Sequence, residues 1–211
     1  QFSSSDIGIT GNLGVGTTSP TQAIEAAGNI FINTSGNPFL EVKTSGAGNN
    51  PFIRIKADTN YWDLQTLFSN TNDELDFRYN GTSTMMIDKN GKVTKPLQCA
   101  FNVQASTNQN NIATASYVTV VFGQENYDIG GNFASNTFTA PVTGKYQLNG
   151  NLRLDSVAND STYFLFFLQT SNRGYYQTMD SNAVSLDYHS FALSLVADMD
   201  ANDTATLSVY Q

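Results

Sequence analysis

From Asn37 onward, apolar and polar side chains alternate in short runs with a period of two. That is the period of a β-strand, whose successive side chains point to opposite faces. Between residues 60 and 95, YWDLQTLFS, ELDFRYN and TMMIDKNGKV read as strands divided by Asn-Thr-Asn and two Asn-Gly pairs. Asn-Gly suits a two-residue hairpin turn, because both residues tolerate positive φ. Just upstream, NPFLEVK at 37–43 matches NPFIRIK at 50–56 across the turn-rich TSGAGNN. The repeat predicts a hairpin that sets Glu41 opposite Arg54, Leu40 opposite Ile55 and Val42 opposite Ile53. A stacked solenoid rung would also juxtapose Glu41 and Arg54, but two copies are too few for a solenoid.

The first 36 residues have another texture. Gly-Asn, Gly-Thr and Ser-Gly pairs separate apolar pieces at Ile7/Ile9, Leu13/Val15, Ala23/Ile24 and Ile30 to Ile32. Each piece is too short to bury a face alone and gains stability only by pairing with neighbours or with other chains. A flexible linker is the alternative reading. Pro96 marks a boundary, after which the strand-like runs lengthen: QCAFNVQA, SYVTVVFG, GKYQLNGNLRLDSV, STYFLFFLQTS, YHSFALSLVAD and ATLSVYQ. Their regular spacing, with turn signals and no helical period, is the pattern of a β-sandwich or jelly roll. The expected organisation is a glycine-rich segment over 1–36, a small antiparallel unit over 37–96 and a sandwich over 97–211.

One run breaks the alternation. Tyr163 to Leu168 reads YFLFFL, apolar on both faces. In a half-solvated antiparallel sheet one face should be polar. One set of side chains fills the sandwich, and the other needs a second subunit or a loop to cover it. Phe164, Phe166 and Leu168 are assigned to the subunit interface.

Composition narrows the function classes. Charged residues are 13% of the 211-residue chain, about half the usual share. Asn, Thr, Ser and Gly fill the gap, which disfavours long surface helices. The net charge is −8 and no Lys/Arg cluster exists. A nucleic-acid partner needs several phosphate contacts from cations, so that class is set aside. The single cysteine, Cys99, allows neither an internal disulfide nor a zinc pattern and reads as a small buried apolar residue. No apolar run approaches the roughly 20 residues of a membrane-spanning helix, so no membrane insertion is expected. The chain opens at Gln1 without a signal peptide and reads as part of something longer.

Two stretches carry family resemblances. GNLGVGTTSP at 11–20 resembles the Gly-Asn-x-Gly-(Ile/Val)-Gly-Thr-(Thr)-x-Pro segment of bacteriophage tail-fibre proteins and related bacterial surface fibres. MMIDKNGKV resembles the strand–turn–strand recurring in the same fibres. Residues 97–211 resemble the globular head of complement C1q and its tumour-necrosis-factor-like relatives. In FTAPVTGKYQLNG, Phe138, Gly144 and Tyr146 stand at the family's F-x(5)-G-x-Y spacing, with Asn126 at the upstream Asn/Asp position. Val120, Gly131, Leu148 and Gly150 depart from the pattern where larger or aromatic residues are usual. The resemblance implies an all-β chain: fibre-type β-structure with hairpins, then a jelly-roll sandwich that trimerises, with its last strand missing from this sequence. It further implies a homotrimeric virion fibre or tail-tip protein, joined to other virion proteins on its N-terminal side and attaching to a host surface glycan or protein. A purely structural virion component and a bacterial adhesin fibre tip are the alternatives.

Candidate chemistry is sparse. The sole histidine, His189, has no patterned partner, and no nucleophile elbow, P-loop or HExxH occurs, so no enzyme is expected. DMDAND offers Asp198 and Asp200 with the oxygen spacing that starts a calcium loop, but not its glycine or closing glutamate. Relatives of the C1q head sometimes bind calcium. Here a calcium site stands against a solvated turn, and no other cofactor is expected. Receptor contacts are assigned to Arg173, Tyr175 and Tyr176 and to the loop Asp155 to Asp160, because tyrosines stack on sugars or fill protein pockets at low entropy cost.

Overall fold

A computed structural model of the chain describes residues 11–15, 17–26, 29–30, 36, 39–44, 49–68, 73–157, 162–180 and 186–211. The protein is all-β, with several antiparallel sheets and no helix among the described residues. Leu13–Val15 (β1) and Ile24–Ala26 (β2) form a short parallel pair. The Gly-rich stretch folds back on itself: Asn12 Nδ2 donates to the Pro20 carbonyl at 2.9 Å, and Leu13 N–H to the Ala23 carbonyl at 2.8 Å. Gly14 is required there, because a Cβ would lie 2.5 Å from the Thr17 carbonyl oxygen.

A five-stranded antiparallel meander follows: Phe52–Ala57 (β3), Asn60–Phe68 (β4), Asp73–Tyr79 (β5), Thr82–Asp88 (β6) and Val93–Thr94 (β7). Asn80 and Gly81 take φ of 46° and 85° between β5 and β6, as a two-residue turn of this kind requires. The hairpin expected from the 37–43/50–56 repeat does not form. Residues 39–44 are described without strand pairing, and part of the intervening turn lies outside the described residues. Arg54 instead faces Asp63 in the register of β3 and β4, joined by a turn at Asp58 and Thr59. That closure is far shorter than one spanning TSGAGNN, and Asp63 offers Arg54 both carboxylate oxygens, at 2.8 and 2.9 Å.

The remaining strands are Ala100–Gln104 (β8), Tyr117–Thr119 (β9), Gln124–Ile129 (β10), Phe133–Ala134 (β11), Thr137–Thr139 (β12), Gly144–Val157 (β13), Tyr163–Thr170 (β14), Gly174–Asp180 (β15), Leu186–Met199 (β16) and Thr204–Tyr210 (β17). Six of them make one sheet in the order β11-β12-β17-β14-β15, with β9 added to β17 beside β12. Two long strands, β13 and β16, pair antiparallel from Gly144/Met199 to Val157/Leu186, and β8 pairs with β10. The core lies between the six-stranded sheet and β13–β16. One cluster gathers Phe138, Leu148, Leu168, Ala197, Met199 and Ala205, with the half-buried Cys99 against it. A second gathers Val157, Phe164, Phe166, Met179 and Phe191. Gly150 lets the layers approach: a Cβ there would stand 2.8 Å from Leu207 Cδ1 and 3.2 Å from Phe166 Cζ.

This packing corrects the assignment of YFLFFL. Phe164, Phe166 and Leu168, expected at a subunit interface, are the inward set and are buried in the chain's own core. Tyr163, Leu165 and Phe167 point outward. Among the described strands β13 pairs only with β16, and a cavity of about 1120 Å³ is lined by residues of β8, β13, β14 and β17 and of the segment 105–112.

Candidate functional site

The outer face of the six-stranded sheet carries aromatic rings from four strands. Alternation along β14 puts Tyr163 and Phe167 outward, and the register brings Tyr176 of β15, Tyr210 of β17 and Tyr117 of β9 to the same face. The rings touch in sequence. Centroids of Tyr163 and Tyr210 lie 5.6 Å apart, Tyr210 and Tyr117 5.1 Å, Tyr117 and Phe167 5.0 Å, and Phe167 and Tyr176 6.4 Å. Such spacing is within the range where aromatic pairs attract beyond their buried area. Phe167 leans over Gly174, whose missing side chain leaves the space: a Cβ there would be 2.3 Å from the ring. The Tyr210 phenol, charge-coupled and hydrogen-bonded to its neighbour, pushes the Tyr163 hydroxyl above its ordinary pKa. Tyr117 and Tyr176 are well exposed, so the patch presents flat rings and phenol hydroxyls to whatever meets it.

The side chains singled out in the sequence are scattered over three places. Tyr175 is half-buried and packs against the core, whereas Tyr176 belongs to the outer patch. Arg173 sits in the β14–β15 turn at one end of the sandwich. Its guanidinium bonds Asp198 Oδ2 at 2.8 Å, and the neighbouring Asn172 donates to Asp203 Oδ2 and to the Asp198 carbonyl. Asp155 lies near the other end of β13, paired with Arg153 at 2.8 Å. Asp155 faces Tyr188 on β16, ten residues from Asp198, so strand rise puts the two ends roughly 33 Å apart. Asp160 lies outside the described residues. The two candidate groups, Arg173 with Tyr175 and Tyr176 and the loop that starts at Asp155, therefore lie at different places on the fold.

The cation reading of DMDAND also meets a different geometry. Asp198 is occupied by Arg173, and the Asp200 backbone N–H donates to Asp203 Oδ2 at 2.8 Å, closing a turn on itself. Among the described residues, no group of three His, Cys, Asp or Glu side chains is gathered for a metal ion. The carboxylate that closes the turn is that of Asp203, while Asp198 is ion-paired with Arg173. His189 lies edge-on to Phe191, with ring centroids 4.7 Å apart. Burial pushes the Cys99 thiol pKa up, and Asp128 adds to it, which disfavours the reactive thiolate.

The residues that sequence reading missed are Tyr117, Phe167 and Tyr210. Their signal was the outward half of an apolar strand plus two isolated tyrosines, and only strand order makes them neighbours. No protein-family model matches the chain, and no curated protein matches it.

Proposed function

We propose that this chain is part of a trimeric viral fibre or tail-tip protein, of the phage type, that attaches the virion to a host cell surface. The sandwich is read as a C1q/TNF-like jelly roll at the tip, and the N-terminal pieces lead toward other virion proteins. The observation that carries the attachment reading is the continuous aromatic patch Tyr163–Tyr210–Tyr117–Phe167–Tyr176. Exposed tyrosines held rigid in a sheet give contact area at low entropy cost, and their hydroxyls serve glycan or protein ligands alike. The fibre reading is supported by GNLGVGTTSP, and the jelly-roll reading by the two-layer sandwich.

The test is binding of the purified, labelled protein to a panel of candidate host cells, comparing wild type with Tyr117→Ala/Tyr176→Ala. Saturable binding that the double variant loses by tenfold or more supports attachment through this patch. Binding that the variant retains moves the receptor site elsewhere. Assembly into virions with no binding to any host that the virus infects assigns the chain a structural role.

A further inference from the structure

We propose that one face of the β3–β7 meander is an inter-subunit surface, covered by the same face of other copies of this chain. The register sorts the meander's side chains into two unlike faces. One carries the rows Ile55–Trp62–Tyr79 and Ile53–Leu64–Phe77. The other carries the charged row Arg54–Asp63–Arg78 and the mixed row Phe52–Gln65–Asp76–Met86. In a lone chain the burial is inverted. Ile55 is 74% exposed and Trp62 48%, while Asp63 is 6% exposed and Asp76 is fully buried.

Most of the polar face is paired within one chain, although Asp76 Oδ1 and Arg78 Nε are buried without a hydrogen-bond partner. Arg54 grips Asp63 with two hydrogen bonds and lies 3.8 Å over the Tyr61 ring. Arg78 reaches Gln65 Oε1 at 2.8 Å and the Gly81 carbonyl, and Ser83 donates to Asp76 at 2.7 Å. Long side chains thus roof their own sheet. The apolar face has no such cover: neither core cluster among the described residues contains any of its side chains. A sheet with one apolar face is stable only when that face packs on another layer.

A second copy fits this face on charge and on area. The two apolar rows hold no charged residue, whereas the chain as a whole carries −8. Copies repel one another across most of their surface, and this uncharged face is where they approach without like-charge contact. Strands of six, nine, seven, seven and two residues, about 4.8 Å apart, give a flat footprint on the order of 500 Å². Side-chain relief adds to that, bringing it toward the roughly 800 Å² per partner that a stable interface buries. Three copies would enclose a three-sided apolar column. That stoichiometry rests on the fibre reading above; the burial of the face does not.

Trp62 is the chain's one tryptophan and lies on this face, so its fluorescence reports the surface directly. The experiment measures native mass by light scattering, together with Trp62 emission and iodide quenching, over a dilution series of the 211-residue protein. Ile55→Glu and Leu64→Glu are compared with Phe167→Glu on the outer patch of the sandwich. Expected are an assembly with Trp62 blue-shifted and shielded, a red shift on dilution, and at least 100-fold weaker association in the Ile55 and Leu64 variants alone. Far-UV circular dichroism shows whether those variants keep their strands; a variant that loses them is replaced by the milder Ile55→Thr, in which the same weakening is expected. A dimer with Trp62 shielded upholds the face and overturns the three-fold arrangement. A trimer with Trp62 fully quenchable overturns the face and leaves the fibre reading standing. A monomer overturns both.

Discussion

Phe166 and Phe167 are adjacent in sequence and opposite in consequence. Phe166 is fully buried, against Phe191 at 5.9 Å between ring centroids and close to the bare backbone of Gly150. Phe166→Ala removes a ring from a site the layers cannot collapse into, because β13 and β16 are held by a ladder that is continuous from Gly144 to Asp155. Transfer and cavity terms together give a loss of about 3–5 kcal/mol. Phe167 is half-buried on the outer face, over Gly174 and against the rings of Tyr176 and Tyr117. Two such contacts at up to about 1 kcal/mol each cap its cost, and solvent exposure brings it nearer 1. Urea unfolding followed by circular dichroism, at one fixed protein concentration, reads the difference. With a slope near 2 kcal/mol per molar, the Phe166→Ala midpoint falls by roughly 2 M and the Phe167→Ala midpoint by roughly 0.5 M. If Phe167→Ala proves the costlier, or Phe166→Ala lies within 1 kcal/mol of wild type, the strand presents its faces the other way round and the sandwich described here is wrong.

Two further outcomes are expected. The hydrogen bonds from Arg54 hold the Asp63 carboxyl below the usual carboxylate range, so its contribution is full above about pH 4 and is lost as pH falls through the depressed folded-state value. Thermal melts should therefore place wild type a few degrees above Asp63→Asn at pH 7 and converge with it near pH 2; a gap that widens toward low pH would contradict the pairing. Gly81→Ala forces a side chain to φ of 85° in the β5–β6 turn and should cost about 1–2 kcal/mol by chemical denaturation, with a neutral result showing that the turn is remade.

Much of the architecture was legible in the chain. Period-two alternation fixed the all-β class, and Asn80-Gly81 marked its turn because few other pairs accept two positive φ values. The sequence could not choose the inward face of YFLFFL, since both faces are apolar. That choice is made by Gly150 and Phe191, which arrive from strands of the opposite layer. The 37–43/50–56 repeat misled for a related reason. Similarity between two segments says that both suit a strand, not that they pair, and the short turn at Asp58 supplied Arg54 with Asp63 first. The aromatic patch was invisible because its members come from β9, β14, β15 and β17, and adjacency of strands is not written in alternation. Arg173 and the DMDAND turn were each legible as polar loops. That they neutralise one another followed only from the meeting of two turns at one end of the sandwich.

The position of β17 has a consequence for how the chain is made. β17, which follows every other strand of its sheet in sequence, lies in the middle of that sheet, bonded to β14 along one edge and to β9 and β12 along the other. Nothing can seal that sheet until Tyr210 has left the ribosome. The meander, by contrast, pairs each strand with its neighbour in sequence and can close as it emerges. At typical synthesis rates the stretch from Thr139 to Tyr210 takes on the order of ten seconds to appear. Over that interval β12, and β14 once it is made, hold open edges meant for a strand not yet made, and neighbouring nascent chains on the same message carry identical ones. Shortening that wait, by fast codons or by a holding chaperone, is the lever on yield that this topology offers.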